Sequence, residues 1–136
     1  MKKITIIDGQ GGRMGKAIIE QLKREFPQQP LLAIGTNSIA TAAMLKAGAD
    51  NGATGENPVI VAARTSDIII GPIGIVIADS LFGEVTPAMA AAVGRSPACQ
   101  VLMPVNRCNH HVVGCEDISM NEIISRVVAH VRELLA

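Results

Sequence analysis

Short apolar runs alternate with segments of helical periodicity along this chain. The first run, Ile4–Ile7, is rich in β-branched residues and stops at a glycine cluster, as is typical of a buried parallel strand. Apolar residues then recur at helical spacing, namely Met14, Ile18, Leu22 and Phe26. This spacing predicts a helix from about Arg13 to Phe26, which ends before Pro27 because proline has no backbone N–H to continue it.

The same alternation continues to the end of the chain. Further strands are predicted at Leu31–Gly35, Asp67–Ile70 and Cys99–Val105. Further helices are predicted from Asn37 or Ser38 to Gly48, within Ile73–Phe82, over Pro87–Val93 after a Thr86 cap, and beyond the capping-box pair Ser119 and Glu122. The segment Ala49–Gly55 is predicted to be a loop and Val112–Cys115 a short strand. Residues 57–64 fit either a helix that begins at Asn57 or a strand at Val59–Val61.

Strands that alternate with helices from end to end indicate a parallel sheet, since parallel strands need crossover connections. A length of 136 residues corresponds to one domain. The sequence therefore predicts an α/β protein in which residues 1–136 form a single Rossmann-like nucleotide-binding domain, an open parallel sheet with helices on both faces. In such folds, ligands bind at the carboxyl ends of the strands, near the point where the strand order reverses.

The composition excludes several classes of function. Lys and Arg number 12 and balance 12 Asp and Glu, so the chain lacks the basic surface expected of a nucleic-acid binder. The aromatic residues are Phe26 and Phe82, with no Trp or Tyr, so no stacking platform for bases or sugars is expected. Charged residues make up 18% of the chain, below the roughly 25% typical of soluble domains. This low share indicates much buried surface or subunit interfaces. Because 136 residues supply a binding domain but little enclosure for a substrate, a homo-oligomer, a dimer or larger, is expected, with apolar faces at Ile39–Ala47 and Ile73–Ala92.

The distribution of apolar residues and cysteines predicts a cytoplasmic protein. The run Ile4–Ile7 is shorter than the hydrophobic region of a secretory signal, which needs about 7–15 residues. The longest apolar stretch, Ile68–Ala78, is broken by glycine and proline and falls short of the ~20 residues that span a bilayer. The odd set of Cys99, Cys108 and Cys115 is no disulfide framework. A reducing compartment and no membrane association are therefore expected.

The segment Asp8–Lys16 joins the first strand to the first helix and carries the most specific motif. Its glycines fit the spacing Gly9-x-x-Gly12-x-x-Gly15, a variant of the dinucleotide-binding turn. Gly9 is expected to adopt a positive φ in a tight turn, Gly12 to let a ligand approach the backbone, and Gly15 to let the helix pack against the strand.

The N-terminus of the first helix offers free N–H groups and a positive dipole end to a phosphate, with the Arg13 and Lys16 cations beside it. The residues of this turn predicted to bind a cofactor are Gly9, Gln10, Gly11, Gly12, Arg13, Met14 and Gly15. A nucleoside triphosphatase is not expected, because Gln10 replaces the first glycine of its phosphate-binding loop and Ala17 replaces the hydroxyl residue.

The end of the second strand, Gly35–Ser38, lacks the Asp or Glu that an NAD site normally uses for the ribose hydroxyls. Its Thr36 and Asn37 side chains would tolerate a 2′-phosphate, and Arg13 would add positive charge. The predicted cofactor is therefore NADP, with NAD as the other possibility. A plain helix cap is an equally good interpretation of Asn37.

Glycine and polar residues also follow the other strands. Those predicted to border the ligand after the Asp67–Ile70 strand are Gly71, Pro72 and Gly74. Asn106 and Cys108 follow the next strand, and together with Asp8 they are the candidate catalytic residues. In that hypothesis Asn106 orients a substrate, and Cys108 or Asp8 handles protons. Asp8 also fits two other roles, a cap on the N–H groups of the turn or a partner of a ribose hydroxyl.

No metal site is predicted, although Cys108, His110, His111 and Cys115 lie close together in the sequence. The two histidines are adjacent, and the residues that follow them read as a strand rather than as a ligand loop.

Six segments together resemble a small bacterial family known as a domain of unknown function. They are Asp8–Gly12, Gly35–Asn37, Ala40–Asp50, Gly52–Asn57, Gly71–Ile75 and Asn106–Asn109. The resemblance covers nearly the whole chain. It implies a Rossmann-like fold and brings no assigned reaction.

The glycine turn also resembles one particular enzyme family. Gly9-x-x-Gly12-Arg13-Met14-Gly15 is similar to the nucleotide-binding turn of dihydrodipicolinate reductases, which use NADH or NADPH. Those enzymes carry a His-His-x-x-Lys motif in a second domain, whereas His110-His111 is followed here by Val-Val-Gly. The resemblance implies the cofactor turn and not the reductase activity.

Two functional hypotheses follow from these features. The first is a small protein that binds a dinucleotide at the 9–15 turn and acts as an oxidoreductase. The second is a non-catalytic sensor or regulatory module that binds a nucleotide or another phosphate-bearing metabolite. Both place a small-molecule ligand at the same turn.

Overall fold

The computed structural model describes residues 1–105 and 110–136. The strands are β1 (Ile4–Asp8), β2 (Leu31–Gly35), β3 (Asn51–Thr54), β4 (Ile68–Pro72) and β5 (Cys99–Met103). The α-helices are α1 (Arg13–Glu25), α2 (Ser38–Ala47), α3 (Glu56–Thr65), α4 (Pro87–Gly94) and α5 (Met120–Leu135). The strands form one parallel sheet in the order β3-β2-β1-β4-β5. The predicted fold class, a Rossmann-like α/β sheet, is confirmed.

Helices cover both faces of the sheet, and each face has its own apolar core. α1, α2 and α5 enclose one core, which includes Ile6, Ile18 and Val127. α3 and α4 enclose the other around Ile69 and Val93. All five residues of β1 are buried, which explains why its sequence is a continuous apolar run rather than an alternating one.

The order of the strands determines where a ligand can bind. β1 pairs with β2 on one side, from Ile4 with Leu31 to Asp8 with Gly35. It pairs with β4 on the other side, so the direction of the strand order reverses at β1. The carboxyl ends of β1, β2 and β4 therefore meet at one edge of the sheet, and a ligand crevice is expected there.

The predicted helix caps are confirmed. The side chains of Asn37, Thr86 and Ser119 each accept a hydrogen bond from the backbone N–H three residues further on, at 2.9, 3.1 and 3.2 Å. These bonds satisfy N–H groups that have no partner within the helix. The capping box predicted at Ser119 is not reciprocal, because the Glu122 carboxylate bonds to Arg126. The helical interpretation of residues 57–64 is confirmed, but α3 begins at Glu56 with Gly55 as its cap.

The prediction of a loop at Ala49–Gly55 is wrong, because Asn51–Thr54 forms the edge strand β3. β3 pairs in register with β2, from Leu32 with Asn51 to Gly35 with Thr54. Its residues are mostly exposed and carry no apolar alternation. The strand is therefore held by backbone hydrogen bonds that leave no hydrophobic pattern in the sequence.

The helix predicted within Ile73–Phe82 is also wrong. This segment holds one turn of 3₁₀-helix, Ile73–Val76, followed by a series of turns. Asp79, Leu81 and Phe82 adopt φ values of 64°, 55° and 57°. Residues with positive φ cannot continue a right-handed helix. The chain consequently folds back over the carboxyl edge of the sheet.

The strand predicted at Val112–Cys115 is replaced by a turn, in which the backbone N–H of Cys115 donates to Val112 O at 3.4 Å. Asn106 and Cys108, two of the candidate catalytic residues, lie outside the described residues. Within residues 1–105 and 110–136, none of the helices has the length and apolar character needed to cross a bilayer.

Candidate functional site

A cavity of about 510 Å³ opens where the carboxyl ends of β1 and β4 meet. The glycine turn after β1 forms one wall, and the segment after β4 forms the opposite wall. The lining residues are 8–14, 72–74, 77–82, 105 and 110. This is the position at which open α/β sheets bind their ligands.

The glycine turn is shaped by close packing against α2. Gln10 and Gly12 adopt positive φ values of 50° and 73°. A Cβ on Gly12 would lie 2.9 Å from both Cα and O of Ala40, and a Cβ on Gly15 would lie 2.4 Å from Met44 Sδ. The prediction of a positive φ at Gly9 is wrong, because Gly12 supplies it. Gly15 lets α1 approach α2 as well as the end of the strand.

Asp8 caps the turn from inside. Its side chain is buried, and Oδ1 accepts a hydrogen bond from the Gly9 N–H at 2.8 Å. Oδ2 accepts a second bond from the Gly15 N–H at 2.7 Å. Of the roles considered for Asp8, the structure therefore supports the cap on the N–H groups of the turn.

The cap leaves several N–H groups of the turn available to a ligand. No described residue accepts a hydrogen bond from the backbone N–H of Gly11, Arg13 or Met14. The Arg13 side chain is exposed at the cavity wall and forms no ion pair with a described residue. These donors lie at the positive end of the α1 dipole, an arrangement that binds anions. Lys16 is exposed but does not line the cavity.

The wall opposite the glycine turn is largely apolar, with Asp79, Ser80 and His110 as its polar residues. Its aliphatic and aromatic side chains are Ile73, Ile77, Phe82 and Val105, whereas Leu81 lies against the glycine turn, where a Cβ on Gly9 would be 2.7 Å from its Cδ1. Phe82 is 89% exposed at the tip of its turn. An exposed aromatic ring beside an apolar cavity is a surface on which a flat ligand can stack. The cavity thus has one polar end rich in donors and one largely apolar end.

The end of β2 is occupied by Glu84, a residue from the segment after β4. Glu84 Oε1 accepts hydrogen bonds from Thr36 Oγ1 at 2.6 Å, Asn37 Nδ2 at 2.8 Å and the Gln10 N–H at 2.9 Å. Partial burial opposes ionisation of this carboxyl, but the hydrogen bonds from Thr36, Gln10 and Asn37 outweigh it and lower the pKa of Glu84. A carboxylate therefore stands where the sequence predicted space for a phosphate.

Metal ligands do not gather in the described part of the chain. Within it, no group of three or more His, Cys, Asp or Glu side chains is placed to hold a metal ion. His110 lines the cavity, while His111 lies 3.9 Å from the Glu116 carboxylate.

The family model described as Domain of unknown function (DUF3842) matches residues 3–136. The chain belongs to this family. The resemblance predicted from its six segments is thereby confirmed, and no curated protein matches the sequence.

Among solved structures, this DUF3842 chain is similar to a dodecameric FMN-dependent UbiX-like decarboxylase from Escherichia coli O157:H7. The two are 18% identical, with a TM-score of 0.53, over 97% of this chain and 94% of the decarboxylase chain. At this level of identity, the similarity concerns the fold.

The prediction of NADP or NAD as the cofactor is wrong. The finding that overturns it is that the similar solved structure is FMN-dependent. The contacts of Glu84 give a physical reason, because Thr36 and Asn37 bind this carboxylate instead of facing open space. A 2′-phosphate placed at the end of β2 would meet a negative charge.

Most of the predicted cofactor-binding residues come together at the cavity. Those that line it are Gly9, Gln10, Gly11, Gly12, Arg13, Met14, Pro72 and Gly74, and Asp8 lies with them. Gly15, Thr36, Asn37 and Gly71 do not line it. Gly71 instead lets β4 approach β1, since a Cβ there would lie 2.4 Å from Ile7 O.

The sequence reasoning missed the second wall of the cavity. The missed lining residues are Ile77, Ala78, Asp79, Ser80, Leu81, Phe82, Val105 and His110. Because the sequence predicts a helix within 73–82, it gives no indication that this segment forms a wall of the cavity. One usable signal was Phe82, an aromatic residue in a chain with only two, next to Gly83 at a turn.

Proposed function

We propose that this DUF3842 protein binds flavin mononucleotide, or a mononucleotide of the same build, in the cavity beside the glycine turn. The observation that carries the proposal is the division of this cavity into two unlike ends. Backbone N–H groups and the Arg13 guanidinium line the glycine-turn wall, and mostly apolar side chains, with Asp79, Ser80 and His110 among them, line the opposite wall. A ligand with a phosphate at one end and a flat ring system at the other complements both.

The polar end fits the phosphate of such a ligand. The backbone N–H groups of Gly11, Arg13 and Met14 are not bonded to described residues and lie at the start of α1. A phosphate there would receive charge-assisted hydrogen bonds and reverse the unfavourable placement of the Arg13 cation near the positive end of the dipole.

The apolar end fits the ring system. A cavity of about 510 Å³ falls within the range of roughly 300–1,000 Å³ for small-molecule sites. Ile73 and Ile77 offer apolar surface, and Phe82 offers a stacking face. The FMN dependence of the structurally similar decarboxylase supports the flavin class. A bound flavin would supply redox chemistry, while the residues of this chain would bind it, orient it and exclude water.

A non-catalytic sensor of the same ligand is the second candidate function. It is favoured by the position of Asp8, whose two carboxylate oxygens accept hydrogen bonds from backbone N–H groups, so that this candidate base is committed to the fold. Stopped-flow reoxidation of the dithionite-reduced, FMN-loaded protein by added acceptors separates the two. Acceleration relative to free FMN supports an oxidoreductase, and an unchanged rate supports the sensor.

Replacement of Arg13 tests the phosphate end of the site. Arg13→Ala should weaken FMN binding about tenfold, because one charge-assisted contact to the phosphate is lost at an exposed position. Riboflavin, which lacks the phosphate, should bind more weakly than FMN to the wild type and equally to both proteins. The measurement is quenching of flavin fluorescence on titration with protein, supported by calorimetry.

Lys16→Ala is the matched control, since Lys16 is an exposed cation of α1 that does not line the cavity. It should bind FMN as the wild type does. Equal affinities of wild type and Arg13→Ala, or equal affinities of the wild type for riboflavin and FMN, would contradict the assignment of the phosphate end. An absence of FMN binding to the wild type would overturn the proposed function.

We also propose that the chain forms a homo-oligomer. On the predicted apolar face Ile39–Ala47, Ile39 is 71% exposed and Leu45 is 42% exposed, and such apolar side chains favour contact with another subunit. The dodecameric state of the similar decarboxylase supports the same view. The predicted apolar face at Ile73–Ala92 contributes less than its composition suggests, because Ile75 and Met89 are buried within the chain. Light scattering of the purified protein should give a mass at least twice that of one chain, and a monomer would contradict the proposal.

A further inference from the structure

The segment Asp79–Val85, here called the latch, leaves the β4 side of the cavity and reaches the end of β2. Its two ends are joined by a hydrogen bond from the Asp79 N–H to Val85 O at 2.7 Å. The positive φ angles of Asp79, Leu81, Phe82 and Gly83 turn the backbone tightly between them. The latch is therefore a closed loop with a defined shape.

Two side chains of the latch cover the β2 side of the glycine turn. Glu84 accepts three hydrogen bonds there, from Thr36, Asn37 and the backbone of Gln10. Leu81 lies directly over the turn, since a Cβ on Gly9 would be 2.7 Å from Leu81 Cδ1. A side chain at Gly9 would therefore have to displace the side chains of Leu81, Glu84 and Thr36.

The covered position matters because a dinucleotide uses the crevice on both sides of the turn. One nucleotide lies toward β4, the pyrophosphate crosses the glycines, and the other nucleotide lies toward the end of β2. In this chain the β4 side is an open cavity. On the β2 side, the groups that would face a ribose already bind Glu84.

We propose that the latch makes this site selective for a mononucleotide and excludes a dinucleotide, with Glu84 as the specificity-determining residue. This inference rests on the proposed function, which identifies the nucleotide bound on the β4 side as FMN. The exclusion has two causes. Leu81 occupies the path of the pyrophosphate over Gly9, and the Glu84 carboxylate repels an anion while it occupies the donors of Thr36 and Gln10.

FMN and FAD are the suitable pair of probes, because FAD is FMN extended by an AMP half. The wild type should bind FMN at least about tenfold more tightly than FAD. Glu84→Ala should reduce this ratio about tenfold, mainly by strengthening FAD binding, since three donors become available to the second half. Leu81→Ala, which leaves the carboxylate in place, should reduce the ratio as well and serves if Glu84→Ala does not fold.

Two further variants separate shape from charge. Glu84→Gln keeps the acceptor oxygen and the shape of the latch, so its ratio should stay closer to that of the wild type than the ratio of Glu84→Ala does. Glu56→Ala removes an exposed carboxylate that accepts a hydrogen bond from Thr86, just beyond the latch. It does not line the cavity and should leave the ratio unchanged.

AMP alone tests the latch independently of flavin binding. In amide NMR spectra, AMP at millimolar concentration should shift the Gln10 and Thr36 signals of Glu84→Ala and leave those of the wild type unchanged. If AMP shifts these signals in Glu84→Ala but the wild type does not bind FMN, the proposed function is wrong and the role of the latch is supported. If the wild type binds FMN and FAD with equal affinity, the latch does not exclude a dinucleotide, while the proposed function is supported. An FMN to FAD ratio that neither Glu84→Ala nor Leu81→Ala changes would also overturn the latch.

Discussion

Gly12→Ala should lower the free energy of unfolding by about 2–4 kcal/mol. Gly12 has a φ of 73°, in the left-handed region where an alanine costs about 1–2 kcal/mol. The added Cβ would also lie 2.9 Å from backbone atoms of Ala40, which cannot rotate away as a side chain can. Urea unfolding followed by far-UV circular dichroism measures the effect, because the chain has no Trp or Tyr for fluorescence.

The neighbouring glycine provides the control. A Cβ on Gly11 would meet nothing within 4 Å, and Gly11 has no positive φ. Gly11→Ala should therefore change stability by less than about 1 kcal/mol, with stabilisation expected because alanine restricts the unfolded chain. Similar losses in the two variants would contradict the close approach of the glycine turn to α2.

Asp8→Ala should cost a similar amount, about 2–4 kcal/mol, because it leaves two buried N–H groups without their charged acceptor. The bonds lost are those from the Gly9 and Gly15 N–H groups, at 2.8 and 2.7 Å. Asp8 itself is only 5% exposed, so water does not readily replace the carboxylate. The measurement is the same urea titration, with the ellipticity of the helices as the signal.

Asp67→Ala is the matched control for this prediction. Asp67 also accepts a hydrogen bond from a backbone N–H, that of Lys3 at 2.7 Å, but its carboxylate is exposed. Water can satisfy the Lys3 N–H after the substitution, so the loss should stay below about 1 kcal/mol. If Asp8→Ala were as mild as Asp67→Ala, the carboxylate would not be the element that organises the turn.

The elements that the sequence predicts well are those built from local signals. β1 and α1 follow from a β-branched run and a helical repeat, and the Asn37 and Thr86 caps follow from side chains that bond three residues ahead. The edge strand β3 has no such signal, because its stability comes from backbone pairing with β2. The segment 73–82 carries apolar residues that suit a helix, while its positive φ values at non-glycine residues follow from tertiary contacts.

Only the glycine-turn side of the site could be predicted from the sequence, because the other contacts join residues far apart in the chain. The glycine turn is local, and its residues point to an anion at the start of α1. Glu84 bonds to the turn although it is 74 residues from Gln10 and 48 residues from Thr36 in the sequence. No spacing rule links such distant positions. The prediction of NADP assumed open space at the end of β2, and this long-range contact fills that space.

The internal hydrogen bonds of the turn have a kinetic consequence. Asp8 and Glu84 accept hydrogen bonds from the N–H groups of Gly9, Gln10 and Gly15 before any ligand arrives. The turn therefore loses its conformational entropy during folding and not during ligand binding. A ligand then meets a glycine turn that is already ordered, and its affinity is not reduced by ordering of this turn. Association should accordingly follow a single exponential whose rate rises linearly with ligand concentration, while differences in affinity between ligands arise in their residence times.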